Sequence, residues 1–132
     1  MAVFADAWFY LALLDGDDEH HDTVTDWLEN FRGHIITTRW VLIEVANGLS
    51  APRFRARVSR LLSNLECNPR VTIVGDSDVL FQAGRSLFDS RPDKEWSLTD
   101  CISFLVMERE GLREALTHDR HFEQAGFVAL FA

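Results

Sequence analysis

The sequence predicts an α/β sandwich with a mostly parallel central sheet. Short apolar runs of strand length alternate with longer stretches of helical periodicity along the whole chain, and such alternation builds a parallel sheet covered by helices. The length, 132 residues, suits a single domain over 1–132, able to bury a core without staples. Isolated acids follow strand ends, where open parallel sheets place their ligand sites.

The elements follow in order. Val3-Phe4-Ala5 is a short apolar strand ending at Asp6, and Ala7 to Leu14 continues as an apolar helix. Asp15 to Asp22 is an acidic turn leading into a helix that runs to about Arg32. Its acids lack the ligand spacing of a calcium loop or a zinc site and instead favour the start of a helix dipole. His34 to Thr37 is the second strand, and Thr37 or Thr38 caps a helix from Arg39 to about Leu49. That helix is apolar nearly all round Glu44, which predicts burial. Pro52 opens the next helix, on which Arg53, Arg57 and Arg60 share one face. Such a face is solvated, or it meets a nucleic-acid backbone or an acidic partner.

Val71 to Val74 is the third strand, and a helix follows from about Asp76 to Phe88. The loop Asp89 to Glu95, in which Asp93 is a spare acid, leads into Trp96-Ser97-Leu98-Thr99-Asp100-Cys101-Ile102-Ser103-Phe104. Leu98, Ile102, Leu105 and Val106 keep helical spacing, so a largely buried helix starts there and ends at Gly111. Glu114 to Thr117 is a strand, a short helix closes near Gly126, and Phe127 to Phe131 is the last strand. Cys67 and Cys101 lie in separate helical patterns and read as buried thiols of a reducing compartment. The start carries Asp6 and no basic region, unlike a signal peptide. No apolar run is long enough to span a membrane, and the expected location is the cytoplasm.

Three acids stand alone in apolar surroundings. Asp6 is the one charge between Met1 and Leu14, Glu44 between Trp40 and Pro52, and Asp100 between Ser97 and Met107. A carboxylate so placed is costly unless a cation or hydrogen-bond donors meet it. Three of them suggest one acidic pocket holding divalent metal on oxygen ligands. Each has a plainer reading. Asp6 and Asp119 can cap the helices that follow them, and Ser97-x-x-Asp100 fits a capping box. Glu44 lies past the first turn and has no such explanation. Asn47, three residues on, shares its face and is a candidate to orient it or to touch substrate.

A net charge of −8 argues against general adhesion to nucleic acid. Two bound divalent ions would bring it to −4 (−8 + 4), with the change concentrated at the pocket. All but Lys94 of the 13 basic residues are Arg, a side chain suited to bidentate phosphate contacts.

V-F-A-D-A-W at the start, T-T-x-x-V-L-x-E-V-x-N-x-L from Thr37, W-S-L-T-D-C-I-S-F from Trp96 and L-T-H-D-R-H-F from Leu116 together resemble the PIN domain. The nearest likeness is to VapC-type toxins of bacterial toxin–antitoxin pairs. The resemblance runs through the whole chain in the family's order. It implies an acidic quartet of Asp6, Glu44, Asp100 and Asp119 that binds Mg²⁺ or Mn²⁺ and cleaves RNA. Thr117 matches the hydroxyl residue that precedes the fourth acid, and Ala7 departs from the Ser or Thr that commonly follows the first. The implied partners are an RNA substrate, a small antitoxin protein and a second copy of the chain in a homodimer. Two rivals remain at this level: a metal-independent nuclease using His118 and His121 as acid and base, and an inactive interaction module.

Overall fold

A computed structural model describes residues 1–132, and its five strands form one sheet in which every pairing is parallel. The strands are β1 (Ala2–Ala5), β2 (His34–Thr38), β3 (Val71–Val74), β4 (Glu114–Leu116) and β5 (Val128–Ala129), in the spatial order β3-β2-β1-β4-β5. Strands β1, β2 and β4 are almost entirely buried, as a parallel sheet with helices on both faces requires.

The helices are α1 (Ala7–Leu14), α2 (His21–Asn30), α3 (Arg39–Gly48), α4 (Pro52–Cys67), α5 (Asp78–Ser90), α6 (Leu98–Glu110) and α7 (Arg120–Gln124). Helix α1 packs against α2, α3 and α4, whereas α6 packs against α5 and α7. The chain moves outward from β1 to β3 and then returns to β4 on the other side of β1. Right-handed crossovers then put α1 to α4 on one face and α5 to α7 on the other. The strand order reverses between β1 and β4, which opens a crevice at the carboxyl ends of those two strands. Asp6 follows β1 and Thr117 follows β4 at that point.

Local chemistry fixes the elements bordering the crevice. The buried Thr37 hydroxyl donates to the Ala5 carbonyl at 2.8 Å, tying the end of β2 to the end of β1. Thr38, rather than Thr37, caps α3 by accepting from the Val41 amide at 3.1 Å. On the opposite face Phe104 of α6 meets Phe122 of α7 edge-on at 5.0 Å and Trp96 at 5.1 Å, so aromatic packing sets where α6 begins. Gly111 ends α6 with φ of 69°, a left-handed conformation suited to glycine.

The structure corrects several expectations. Helix α3 is not buried all round: Val41, Leu42 and Val45 face inward, while Ile43 is 52% exposed and Asn47 is exposed. One side of α3 meets the fold and its outer side has nothing above it. Cys67 is exposed because it ends α4, and Cys101 alone is buried. Helix α2 stops at Asn30, α5 begins at Asp78 under a Ser77 cap, and the last strand shrinks to Val128–Ala129. Beyond Ala129 the backbone still bonds to the end of β4, the Leu130 amide donating to the Ala115 carbonyl and the Phe131 amide to the Thr117 carbonyl, each at 3.0 Å, but the chain turns there and the regular strand ends.

Helices α5 and α6 approach most closely at Gly84, where an added Cβ would lie 2.4 Å from Ile102 Cγ1. Gly84→Ala is expected to lose about 1–3 kcal/mol of stability in urea unfolding, despite the better helix propensity of alanine. Gly16→Ala, with open space around its Cβ, should stay within about 0.5 kcal/mol of wild type. Equal midpoints for the two variants would show that the α5–α6 spacing yields to a methyl group.

Candidate active site

The carboxyl end of β1 delivers Asp6 into the crevice, 7% exposed. It occupies the N-cap position of α1, yet its side chain makes no capping bond. Its Oδ2 accepts instead from the Thr117 hydroxyl at 3.0 Å, across 111 residues of sequence. Burial raises the Asp6 pKa to about 7, and Asp100 and Glu44 push in the same direction. The Ala7 amide and the Thr117 hydroxyl pull it back. Asp6 is therefore close to half-protonated at neutral pH in the metal-free protein.

Glu44 reaches the crevice from the second turn of α3 and is half-buried. Burial raises its pKa, the Thr99 side chain favours its ionised form, and Asp100 raises the pKa further. Asp100 comes from the first turn of α6, on the opposite face of the sheet. The capping box is present: the Asp100 amide donates to Ser97 Oγ at 3.0 Å, and the Ser97 amide donates to Asp100 Oδ2 at 3.1 Å. The cap and the pocket are not alternatives here. One carboxylate closes the end of α6 and also lies close enough to Asp6 and Glu44 to raise both.

Asp119 joins through shorter links. Its Oδ1 accepts from the His121 amide at 2.9 Å, capping α7, and its own amide donates to Thr117 Oγ1 at 3.1 Å. The Thr117 hydroxyl thus accepts from the Asp119 backbone while donating to the Asp6 carboxylate. His121 Nδ1 lies 3.0 Å from Asp100 Oδ2 and 3.4 Å from Asp119 Oδ1. One donor atom from each of Asp100, Asp119 and His121 falls within 4.8 Å of the others.

The expected site residues divide clearly. Asp6, Glu44 and Asp100 act on one another, Thr117 holds Asp6, and Asp119 stands beside Asp100 through His121. Asn47 is exposed, and Thr99 rather than Asn47 acts on Glu44. Asp93 lies outside the pocket, where Arg91 pairs with it at 3.0 Å and holds its pKa down to about 2. The acidic turn folds on itself: Asp15 accepts from the Asp17 amide and Asp18 from the His20 amide. Sequence reasoning missed Thr99 and placed His121 in a rival mechanism. Thr99 adjoins Asp100 in sequence, but its action on α3 depends on how the two helices meet. His121 had a local signal, since an acid capping a helix holds the first-turn residue two positions on beside it.

The residues suit a hard divalent cation. The donors are carboxylate oxygens with one imidazole nearby, and the only ion pairs of Asp100 and Asp119 are with His121. Buried negative charge without a lysine or arginine to answer it is the condition that a bound cation relieves.

The raised Asp6 pKa has a measurable consequence. An unfolded Asp6 ionises near 3.8 and the folded one near 7, so the stability Asp6 supplies is full below pH 4 and fades as pH rises to 7. At about 1.4 kcal/mol per unit, metal-free protein should lose about 3 kcal/mol between pH 5 and pH 8 from this group. Urea unfolding at the two pH values, with chelator present, should show a loss in wild type that is larger by about that amount than the loss in Asp6→Asn, in which the raised Glu44 remains. A parallel loss in the variant would assign the pH dependence to other groups.

Comparison with known proteins gives concordant results. The PIN domain family model matches residues 3–128. The chain is 30% identical over 132 residues to the 23S rRNA-specific endonuclease VapC20 of Mycobacterium tuberculosis, in strain CDC 1551 / Oshkosh and in strain H37Rv. That match covers 96% of this chain and 95% of the relative. The crystal structure of VapC20, described as a sarcin–ricin loop cleaving toxin, superposes with a TM-score of 0.87 at 25% identity, covering 97% of this chain and 98% of the other. FitAcB from Neisseria gonorrhoeae shares the fold at a TM-score of 0.66 and 18% identity, over 100% of this chain and 97% of the other.

Proposed function

This chain belongs to the PIN domain family, and we propose that it is a divalent-metal-dependent endoribonuclease, the toxin of a toxin–antitoxin pair. The observation that carries this reading is the meeting of Asp6, Glu44 and Asp100, from three separate elements, at the switch point of a parallel sheet with no lysine or arginine to pair them. Stability alone would favour apolar residues at such buried positions. The relative's activity on 23S rRNA makes RNA the substrate and ribosomal RNA the first one to test.

Asp6, Glu44 and Asp100 would hold Mg²⁺ or Mn²⁺, with Asp119 as a further ligand or as the group that positions water. A cation bound there supplies a water of lowered pKa and positive charge for the phosphate oxygens. The chain's own groups prepare that chemistry. Thr117 fixes one oxygen of Asp6 by donating to it, so the carboxylate keeps one orientation. The Ser97 amide fixes Asp100 in the same way. His121 Nδ1 sits between Asp100 and Asp119 and can hold a proton between them. The family resemblance implies that water attacks in line with departure of the 3′-oxygen, which would leave a 5′-phosphate and a 3′-hydroxyl, with the 2′-hydroxyl taking no part. Preference for RNA then rests on how the groove accepts unpaired bases and backbone. A His118–His121 acid–base pair is the alternative reading, since both line the same cleft and each has its Nδ1 engaged, by the Phe131 carbonyl at 2.6 Å and by Asp100 Oδ2 at 3.0 Å. Loss of cleavage in chelator separates the two.

Asp100→Asn tests the site against a purely capping role. The amide oxygen of Asn can still accept from the Ser97 amide, so metal-free stability should change by no more than about 1 kcal/mol. Loss of the charge should cut Mn²⁺-dependent cleavage of single-stranded RNA by more than about a hundredfold. Cleavage at the wild-type rate would remove Asp100 from the ligand set.

The toxin assignment has its own test, with the exposed arginines of α4 as a docking face for an acidic antitoxin segment. Expression without a partner should slow growth of the host, and the Asp6→Asn form should not. A wild type that cleaves RNA in vitro yet leaves growth unchanged would retain the nuclease and discard the toxin. A second copy of the chain, in a homodimer, belongs to the same reading.

A further inference from the structure

The acidic pocket opens onto a cleft of about 560 Å³ whose wall includes Asp119 and His121, within the size range of small-ligand sites. Trp8 stands on that wall two residues after Asp6, half-buried. Its ring stacks on His118, with centroids 5.7 Å apart and planes 20° from parallel. Phe131 lies against Trp8 at 5.4 Å and His20 at 5.1 Å, so the indole is held from behind and beside. His118 is held as well. The Phe131 carbonyl can only accept, so His118 Nδ1 donates to it at 2.6 Å, which leaves Nε2 as the acceptor of the neutral ring.

The remaining wall argues for a base rather than a phosphate. Arg120 is its one cation, and the carboxylates of Glu95 and Asp119 border the same cleft. Gln124 also lines it, with its Oε1 already accepting from Trp96 Nε1 at 3.0 Å, so its NH₂ remains free to donate. An aromatic surface, a free acceptor and a free amide donor together match the face and the edge of a nucleobase. Two acids against one arginine would repel a second backbone phosphate.

We propose that the Trp8–His118 pair and the cleft beside it form a subsite for one unpaired nucleobase of the RNA, next to the phosphodiester that is cut. This rests on the nuclease reading and adds to it the feature that selects unpaired RNA. Stacking holds the base equally before and during cleavage, so it acts on substrate affinity and leaves the rate of the bound complex alone.

The test measures KM and kcat separately for Mn²⁺-dependent cleavage of a short single-stranded RNA, and repeats them with an abasic residue at each position in turn. His118→Ala is the principal variant, because an exposed side chain can be removed without opening the core. It should raise KM about tenfold, within the usual worth of one stacked base, with kcat within about twofold of wild type. Trp8→Leu should do the same and Trp8→Phe, which keeps a stacking face, should stay near wild type. One abasic position should raise KM for wild type by a similar factor and add little in His118→Ala. Folded variants with unchanged KM, or an abasic effect that is equal in wild type and His118→Ala, would overturn the subsite. Should wild type fail to cleave, the nuclease reading fails by itself. Equilibrium binding of the same intact and abasic RNAs, without metal, then decides the subsite by the same comparison.

Discussion

Mutual repulsion among Asp6, Glu44 and Asp100 is the constraint on which the site depends. The three belong to β1, α3 and α6, and the fold brings them together against their electrostatic preference. Burial alone makes an ionised Asp6 costly, and two further carboxylates add to the cost. The scaffold absorbs this because strong local interactions set the position of each element independently of the acids. Thr37 ties β2 to β1, Thr38 caps α3, and the Phe104 contacts with Phe122 and Trp96 seat α6. The pocket is thus imposed by the frame, and no lysine or arginine answers its charge, which is what a cation-binding site requires.

Capping and catalysis are often treated as competing explanations for an acid at a helix start. Asp100 shows why they need not compete. A carboxylate has two oxygens and about four acceptor positions. One oxygen closes the capping box and faces His121, and the group as a whole still lies near enough to raise Asp6 and Glu44. Asp119 repeats the arrangement at α7, with its Oδ1 bound to the His121 amide and its side chain partly open. The caps give both acids a fixed orientation. Thr117 serves Asp6 in the same manner from a different direction, because Asp6 itself caps nothing.

The surroundings of the pocket explain how a chain of net charge −8 can receive a polyanion. Arg53, Arg55, Arg57 and Arg60 are exposed along α4, away from the pocket acids, and Arg120 is the one arginine lining the cleft beside them. That cleft offers aromatic rings beside its single arginine. Stacking has no long-range repulsion to overcome and tolerates any base. A bound cation would supply the remaining attraction at the one place where a phosphate must come close.

The sequence alone determined the alternation of strands and helices, the boundaries of β3 and α1, the Pro52 and Gly111 punctuation, and the isolation of Asp6, Glu44 and Asp100 in apolar stretches. All of these are encoded within a few residues, in side-chain periodicity, turn chemistry and local charge. The motifs also pointed to the family that the whole-chain match shows. What the tertiary structure decided is of another kind. That Thr117 donates to Asp6, that Thr99 rather than Asn47 acts on Glu44, that His121 stands between Asp100 and Asp119, and that Trp8 stacks on His118 all depend on how distant elements meet. So does the exposure of Ile43 and Cys67, which helical spacing had assigned to the interior. Periodicity states which residues share a face of one helix, but only the strand order and the packing of its layers determine whether anything lies against that face.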